Sequence, residues 1–180
     1  MKNIKGDYQM KKLMAFLVIA FLGINLQARD VIKTYNFKDN SGKNIELQTM
    51  DSGVFVPTFK GKVILLAFFG KNCPPCRAEI PGFVKLQNEL KGKFQIVAVH
   101  VQQKMTPSEL NKFVTDYKIN YPIIPASKEA FDLANFIASR TGWKGQIPYS
   151  ILLDKNGNAN KTYLGMQSEE RLTKDIKALF

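Results

Sequence analysis

Residues 63–76 read VILLAFFGKNCPPC, and this stretch decides the fold. Its first seven residues are apolar on both alternating faces, which is typical of a strand buried in the middle of a sheet. Gly70 and two polar residues end that strand. Cys73 and Cys76 follow at once, and a helical pattern begins between them and extends to Leu90. The sequence therefore predicts a cysteine pair at a strand-to-helix junction.

This location predicts reactive thiols. At a helix N-terminus the first sulfur faces unpaired backbone N–H groups and the positive end of the helix dipole. Both favour the thiolate, and thiols in such motifs titrate at about 3.5–7.5 instead of near 8.5. We expect Cys73, nearer the loop, to attack a substrate, and Cys76, one turn into the helix, to resolve the mixed disulfide.

Four neighbouring residues are expected to modulate the pair. Pro74 and Pro75 lack backbone N–H groups, so the helix begins with fewer donors than a polar dipeptide would supply. Lys71, followed by Asn72, brings a positive charge close to the first sulfur and should further favour the thiolate.

Cysteine content limits the alternatives. The chain has two cysteines and one histidine, His100, whereas a structural zinc site needs four ligands. We therefore expect no metal, and no cofactor beyond the Cys73–Cys76 disulfide itself. We assign His100 a loop or core role. A disulfide framework for a small secreted domain uses more cysteines at longer spacing, and so short a loop restrains the unfolded chain little. An inert structural disulfide is the remaining alternative.

The N-terminus predicts export. Lysines at positions 2, 5, 11 and 12 precede an apolar run over residues 13–26, shorter than the roughly 20 residues that span a bilayer. Ala28 supplies the small residue that signal peptidase needs. We predict a signal peptide over residues 1–28 and a periplasmic domain over residues 29–180. An uncleaved anchor to the inner membrane and a buried core helix are alternatives, and Met10 is a second candidate start of translation.

Charge does not indicate nucleic acid. The chain carries 26 basic and 15 acidic residues, a formal net charge of +11. The lysines are scattered and form no long basic run, and the destination is outside the cytoplasm. We interpret the charge as a soluble, lysine-rich surface and predict no nucleic-acid partner.

Strands and helices alternate along the rest of the chain. The patterns predict strands over 31–38, 43–47, 94–101, 121–124, 149–154 and 159–164, helices over 74–90, 106–117, 127–140 and 168–180, and an irregular stretch over 49–60. Pro81 falls inside the first helix and should kink it. This order predicts an α/β fold with a mixed central sheet flanked by helices on both faces.

Four motifs carry a resemblance to a known family. They are GKVILL at 61–66, CPPCRAEIP at 73–81, QIP at 146–148 and ILLDKNG at 151–157. In this order and spacing the chain resembles the thioredoxin superfamily, and within it the exported TlpA/ResA-type thiol–disulfide oxidoreductases, from Thr34 to Phe180. The resemblance implies a thioredoxin-like fold with an added N-terminal β-hairpin.

The resemblance also implies roles for Pro148 and Glu79, and the position of Trp143 in the chain suggests a role for that residue. Pro148 takes the place of the family's cis-proline, which faces the disulfide and leaves the Ile147 backbone to pair with an extended substrate. Glu79 matches a family acid one helical turn after Cys76 and would carry its proton, with a raised pKa. Trp143 precedes the proline loop and is a candidate to line the site. The alternatives are a trans proline, a solvated surface carboxylate and plain packing, respectively.

Two positions depart from the family pattern. Asn72 replaces the aromatic residue usual before the first cysteine, which makes the lip of the site more polar. Ala67 replaces the buried acid that thioredoxins carry in the strand below the site. Glu79 is therefore the only obvious acid from this motif.

By the same resemblance, the function is dithiol–disulfide exchange with exported protein substrates, in the reducing direction. A membrane-embedded thiol donor would supply electrons, apocytochrome c thiols are one target (a role in cytochrome c maturation), and we expect a monomer. A disulfide-forming oxidant and a non-catalytic peptide-binding module of the same fold are the alternatives.

Overall fold

The central sheet has five strands and is mixed. The computed structural model describes residues 30–180, so the predicted signal peptide over residues 1–28 lies outside the described part. The strands are β1 Val31–Lys38, β2 Asn44–Met50, β3 Gly53–Phe55, β4 Val63–Phe69, β5 Phe94–His100, β6 Ile123–Ile124, β7 Tyr149–Leu153 and β8 Ala159–Leu164. The helices are α1 Pro74–Leu90, α2 Pro107–Asp116, α3 Lys128–Thr141 and α4 Glu169–Lys177, with a short 3₁₀ helix at Pro57–Phe59.

Strand β4 lies at the centre of this sheet. The strand order is β6-β5-β4-β7-β8; β4, β5 and β6 are parallel, and β7 and β8 run antiparallel to their neighbours. All seven residues of β4 are buried, as its doubly apolar pattern predicts. The mixed sheet is therefore confirmed.

Both faces of the sheet are covered. On one face Leu65 packs with residues of α1, α2 and α4, among them Leu110 and Leu172. On the other face Leu66 packs with Leu133 of α3 and with the N-terminal strands. Helices on both faces and an added N-terminal hairpin are confirmed, and the fold is thioredoxin-like.

The segment after the hairpin is more regular than predicted. Strand β2 continues to Met50, and β3 pairs with it to make a three-stranded sheet. The expectation of an irregular stretch over 49–60 is wrong here because its partners are remote in sequence. The Val54 N–H donates to the Gly157 carbonyl at 2.9 Å, and a Cβ on Gly157 would meet the Phe55 Cα at 2.6 Å. The Asn-Gly turn between β7 and β8 thus packs directly on β3.

Helix α2 begins with a capping box. The Thr106 hydroxyl accepts the Glu109 N–H at 3.2 Å, and the Glu109 carboxylate accepts the Thr106 N–H at 2.8 Å. Pro107 occupies the first helical position, where its missing N–H costs nothing. Ser127 and Ser168 are the N-caps of the last two helices.

We expect Thr106→Ala to lower the free energy of unfolding by about 1 kcal/mol, because the Glu109 N–H loses its acceptor. Urea denaturation monitored by far-UV circular dichroism measures the change. Ser108→Ala is the matched control, since Ser108 is exposed in the same turn and caps nothing. Equal effects of the two substitutions would contradict the prediction.

Candidate active site

The two cysteines lie where β4 gives way to α1, at one edge of the central sheet. They form a disulfide with a Cα–Cα distance of 5.2 Å. Cys73 is the N-cap of α1, and its Sγ accepts the Cys76 N–H at 3.3 Å. This N–H and the helix dipole would stabilise a Cys73 thiolate. Cys73 is 6% exposed and Cys76 is 3% exposed, so the difference in exposure between the two sulfurs is small.

The proline loop faces the disulfide. The Ile147–Pro148 peptide bond is cis, the geometry that the resemblance implies. The Ile147 carbonyl oxygen lies 3.8 Å from Cys73 Sγ. Pro148 is buried beside Cys76 in a cavity under the disulfide. The half-buried Ile147 therefore places its backbone carbonyl beside the Cys73 sulfur.

Trp143 supports this loop from the core. Its ring stacks on Tyr149 with centroids 4.6 Å apart and packs against Phe68 at 4.9 Å. Its indole N–H donates to the Gln146 carbonyl at 2.7 Å. Trp143 is only 8% exposed, so its visible role is to hold the loop. That it also contacts substrate stays a prediction.

Glu79 is buried behind the disulfide. Its side chain lines the cavity under Cys76, and the residue is 8% exposed, so it is not a solvated surface carboxylate. Burial raises the pKa of Glu79 to about 7, although the Gln167 N–H, which donates to Oε1 at 3.0 Å, partly opposes this. The cavity volume of about 20 Å³ has room for about one water molecule. A carboxyl with this pKa both gives and takes protons at neutral pH.

His100, the last residue of β5, and Gln102, two residues after it, bind the backbone of the loop before Cys73. The sequence predicts this role for neither residue. The Lys71 N–H donates to His100 Nε2 at 3.3 Å, and the Asn72 N–H donates to Gln102 Oε1 at 3.0 Å. Gln102 lies so close over Gly70 that a Cβ there would overlap its side chain. Since the carboxyl ends of parallel strands meet at one edge, their proximity is foreseeable, but the hydrogen bonds are not.

His100 is part of the core, as predicted, and it is uncharged. It is fully buried at the end of β5 and packs against Phe69 with ring centroids 5.2 Å apart. Burial and the nearby Lys71 charge lower the pKa of His100 to about 4. Its Nδ1 has no hydrogen-bond partner among residues 30–180. The neutral ring keeps Nε2 available as an acceptor for the Lys71 N–H.

The Lys71 ammonium points to helix α2. Its Nζ lies 2.7 Å from Glu109 Oε1, and this pairing weakens the influence on Cys73 that the sequence suggested. Asn72, Pro74 and Pro75 are exposed around the disulfide. Across residues 30–180, no group of three or more His, Cys, Asp or Glu side chains is placed to hold a metal ion.

These observations define a class of protein. A disulfide that caps a helix beside a cis-proline, in a sheet of this topology, makes the chain a thioredoxin-like thiol–disulfide oxidoreductase acting on protein thiols. Comparison with known sequences gives its family. The chain belongs to the AhpC/TSA family, which it matches over residues 28–178.

Relatives and solved structures agree with this class. The chain is 30% identical over 142 residues to "Thiol-disulfide oxidoreductase ResA" of Bacillus thuringiensis (strain Al Hakam), covering 78% of this chain and 72% of that protein. It is 24% identical over 154 residues to "Thioredoxin-like protein YneN" of Bacillus subtilis, covering 85% and 81%. The predicted likeness to ResA-type proteins is confirmed.

Two solved structures share the fold. A thiol:disulfide interchange protein of the thioredoxin family from Chlorobium tepidum TLS has a TM-score of 0.67 at 24% identity, covering 83% of this chain and 94% of that one. StoA from Bacillus subtilis has a TM-score of 0.59 at 22% identity, covering 80% and 96%.

Proposed function

We propose that this protein is an exported reductant of protein disulfides. The observation that carries the proposal is the position of Cys73 Sγ at the α1 N-cap, where it accepts the Cys76 N–H and lies 3.8 Å from the Ile147 carbonyl. A thiolate there is stabilised on the helix side and lies next to a backbone on which an extended substrate can align.

The exchange proceeds in two displacements. The Cys73 thiolate attacks one sulfur of a substrate disulfide, forms a Cys73–substrate disulfide and releases the first substrate thiolate. The Cys76 thiol then gives its proton to the Glu79 carboxylate. The Cys76 thiolate attacks the Cys73 sulfur, closes the Cys73–Cys76 disulfide and releases the second substrate thiolate. Two electrons pass to the substrate, whose thiolates take up protons from water or from Glu79.

The reduction potential tests the direction. We expect a value of about −270 mV, as for a reducing thioredoxin, whereas a disulfide-forming oxidant would have a value of about −120 mV. Equilibration of the domain over residues 29–180 with thiol–disulfide buffers, read out by alkylation and mass spectrometry, gives this number. A value close to the oxidant end would reject the reducing role and favour the opposite one.

The proposed electron donor is a membrane-embedded thiol protein, and apocytochrome c thiols are the proposed target. Support comes from the resemblance to the TlpA/ResA type and from the predicted signal peptide over residues 1–28.

We propose a periplasmic monomer, either released or held at the inner membrane by an uncleaved N-terminus. Within residues 30–180, no helix has the length and hydropathy to cross a membrane. The mass of the mature protein from the periplasmic fraction distinguishes release from tethering.

A further inference from the structure

The surface around Cys73 differs in chemistry from side to side. We propose that this site selects extended segments in which the substrate cysteine has an apolar side chain on one side and acidic residues on the other. This inference rests on the proposed function, because it concerns which disulfides the protein reduces.

Strand order fixes what lies on each side of the sulfur. The C-terminal ends of β4, β5 and β8 and the N-terminal end of β7 lie at the same edge of the sheet. Residues 101–104 therefore lie on the β5 side of the Cys73 loop, and residues 164–167 lie on the β8 side of Pro148. Hydrogen bonds tie both segments to the site, from the Asn72 N–H to Gln102 Oε1 at 3.0 Å and from the Gly165 N–H to the Pro148 carbonyl at 2.9 Å.

The β8 side is apolar. Leu164 is 62% exposed and Met166 is 58% exposed, and they are the two most exposed large apolar side chains within residues 30–180. Both flank Gly165, whose N–H binds the Pro148 carbonyl. Solvent-exposed apolar side chains beside a reactive centre indicate an interaction site, because burying their apolar surface against a partner is favourable.

Three unpaired basic side chains lie in the segments around the disulfide. Arg77, Lys104 and Lys144 are exposed, and none of them makes an ion pair with another residue of the described chain. Arg77 follows the disulfide by one residue and its N–H donates to the Cys73 carbonyl at 3.1 Å. The other two lie in the segments that carry Gln102 and the proline loop.

Two acids on the elements next to the disulfide do not cancel this charge. Glu79 is buried beneath the disulfide, and Glu109 is bound by Lys71 at 2.7 Å. A cationic rim around a reactive group raises the local concentration of anionic partners and excludes cationic ones. The complementary substrate is an acidic one with an apolar side chain available for Leu164 and Met166.

Synthetic peptides test this selectivity. Each peptide carries one cysteine joined by a disulfide to 2-mercaptoethanol. Two aspartates or two lysines lie on one side of this cysteine, and a leucine or a serine lies on the other. Each combination is made with the charged pair before the cysteine and with the charged pair after it. Reaction with the reduced protein gives the Cys73–Cys76 disulfide, the peptide thiol and 2-mercaptoethanol, so one second-order rate constant describes each peptide. Each constant is divided by that for bis(2-hydroxyethyl) disulfide, which has no charge.

We expect the aspartate–leucine peptide to react at least about fivefold faster than the lysine–leucine peptide at low ionic strength, with most of the difference lost near 1 M salt. Replacing leucine with serine in the peptide should slow the reaction of the wild type, and the Leu164→Ser variant should not distinguish the two. Lys144→Glu should shrink or invert the charge preference. Lys60→Glu, an equal charge change in the exposed segment before β4, at the opposite end of that strand, should leave the preference intact.

The outcomes separate this inference from the proposed function. Equal normalised rates for all peptides, or equal effects of Lys144→Glu and Lys60→Glu, would overturn the selectivity while leaving the oxidoreductase role in place. Failure to reduce even bis(2-hydroxyethyl) disulfide would instead overturn the proposed function.

Discussion

Replacing Cys73 with serine is expected to reduce disulfide exchange to the level of the uncatalysed reaction. A serine hydroxyl does not ionise near neutral pH at a helix N-terminus, and it cannot form the mixed disulfide through which electrons pass. We expect that Cys76 does not substitute, since it lies one turn into α1 and does not occupy the N-cap position of Cys73. Turnover of a protein disulfide with a small-molecule thiol as electron source measures the loss.

The Cys76→Ser variant should behave differently. Its Cys73 still attacks, but nothing resolves the product, so a Cys73–substrate disulfide accumulates and appears in non-reducing mass spectra. Trapping on Cys76→Ser but not on Cys73→Ser assigns the attacking and resolving roles, and the trapped protein identifies the substrate. Trapping on the other variant would reverse the assignment.

Stability does not account for the expected loss. Neither variant nor the reduced wild type contains the Cys73–Cys76 disulfide, so all three should unfold at nearly the same urea concentration. Ala78→Ser, at an exposed position in the next turn of α1, is a control for adding a hydroxyl to this helix. Exchange no faster with the wild type than with Cys73→Ser, together with unchanged peptide binding, would support a peptide-binding module with a structural disulfide in place of an enzyme.

The main elements of the fold follow from local patterns. Seven consecutive apolar residues in β4 need burial on both faces, and the Thr106 capping box needs only residues within one turn. β3 has no such local determinant. It is only three residues long. Its first residue is Gly53, and Pro57 follows two residues after its end; glycine and proline are both unfavourable in strands. It forms because β2 and the turn at Gly157 lie on either side of it.

The active site likewise combines features set by local sequence with features that depend on residues remote in the chain. The spacing of Cys73, Cys76 and Glu79 along one helix is local, so the sequence brings them together. The partners that set their properties are distant: Gln167 binds Glu79 across 88 positions, and Glu109 takes up the Lys71 charge across 38. No spacing rule finds such pairs. Sequence alone therefore indicated which groups react but not which neighbours hold or neutralise them.

Glu79→Gln is expected to slow resolution of the mixed disulfide by about a hundredfold at neutral pH, the lower end of what a positioned proton carrier contributes. The amide cannot take the Cys76 proton. The wild-type rate should show an inflection near pH 7, where this carboxyl titrates. The variant should lack this inflection and keep only the pH dependence of thiolate formation. Stopped-flow measurement of resolution from pH 5 to 9 tests this. Glu89→Gln, an exposed glutamate on the same helix, is the control, and identical pH–rate profiles for wild type and Glu79→Gln would remove Glu79 from the mechanism.

The same substitution should raise stability, with a sign that depends on pH. The pKa of Glu79 rises from 4.5 in the unfolded chain to about 7 in the folded one. Between these values the folded state holds a proton that the unfolded state has released, so wild-type stability falls as pH rises. Glutamine keeps an acceptor for the Gln167 N–H and does not titrate. The advantage of Glu79→Gln over the wild type should therefore be small at pH 4, grow up to about pH 7 and level off at about 3 kcal/mol above it.

Urea unfolding of both oxidised proteins at pH 4, 6 and 8 gives this difference, because every other titrating group is common to the two chains. A difference that does not vary with pH would mean that the Glu79 carboxyl is not kept protonated by burial. A variant that is more stable and slower would show what burial of this carboxyl achieves. We propose that the chain retains an acid that destabilises the fold at neutral pH because its carboxylate takes the Cys76 proton during resolution.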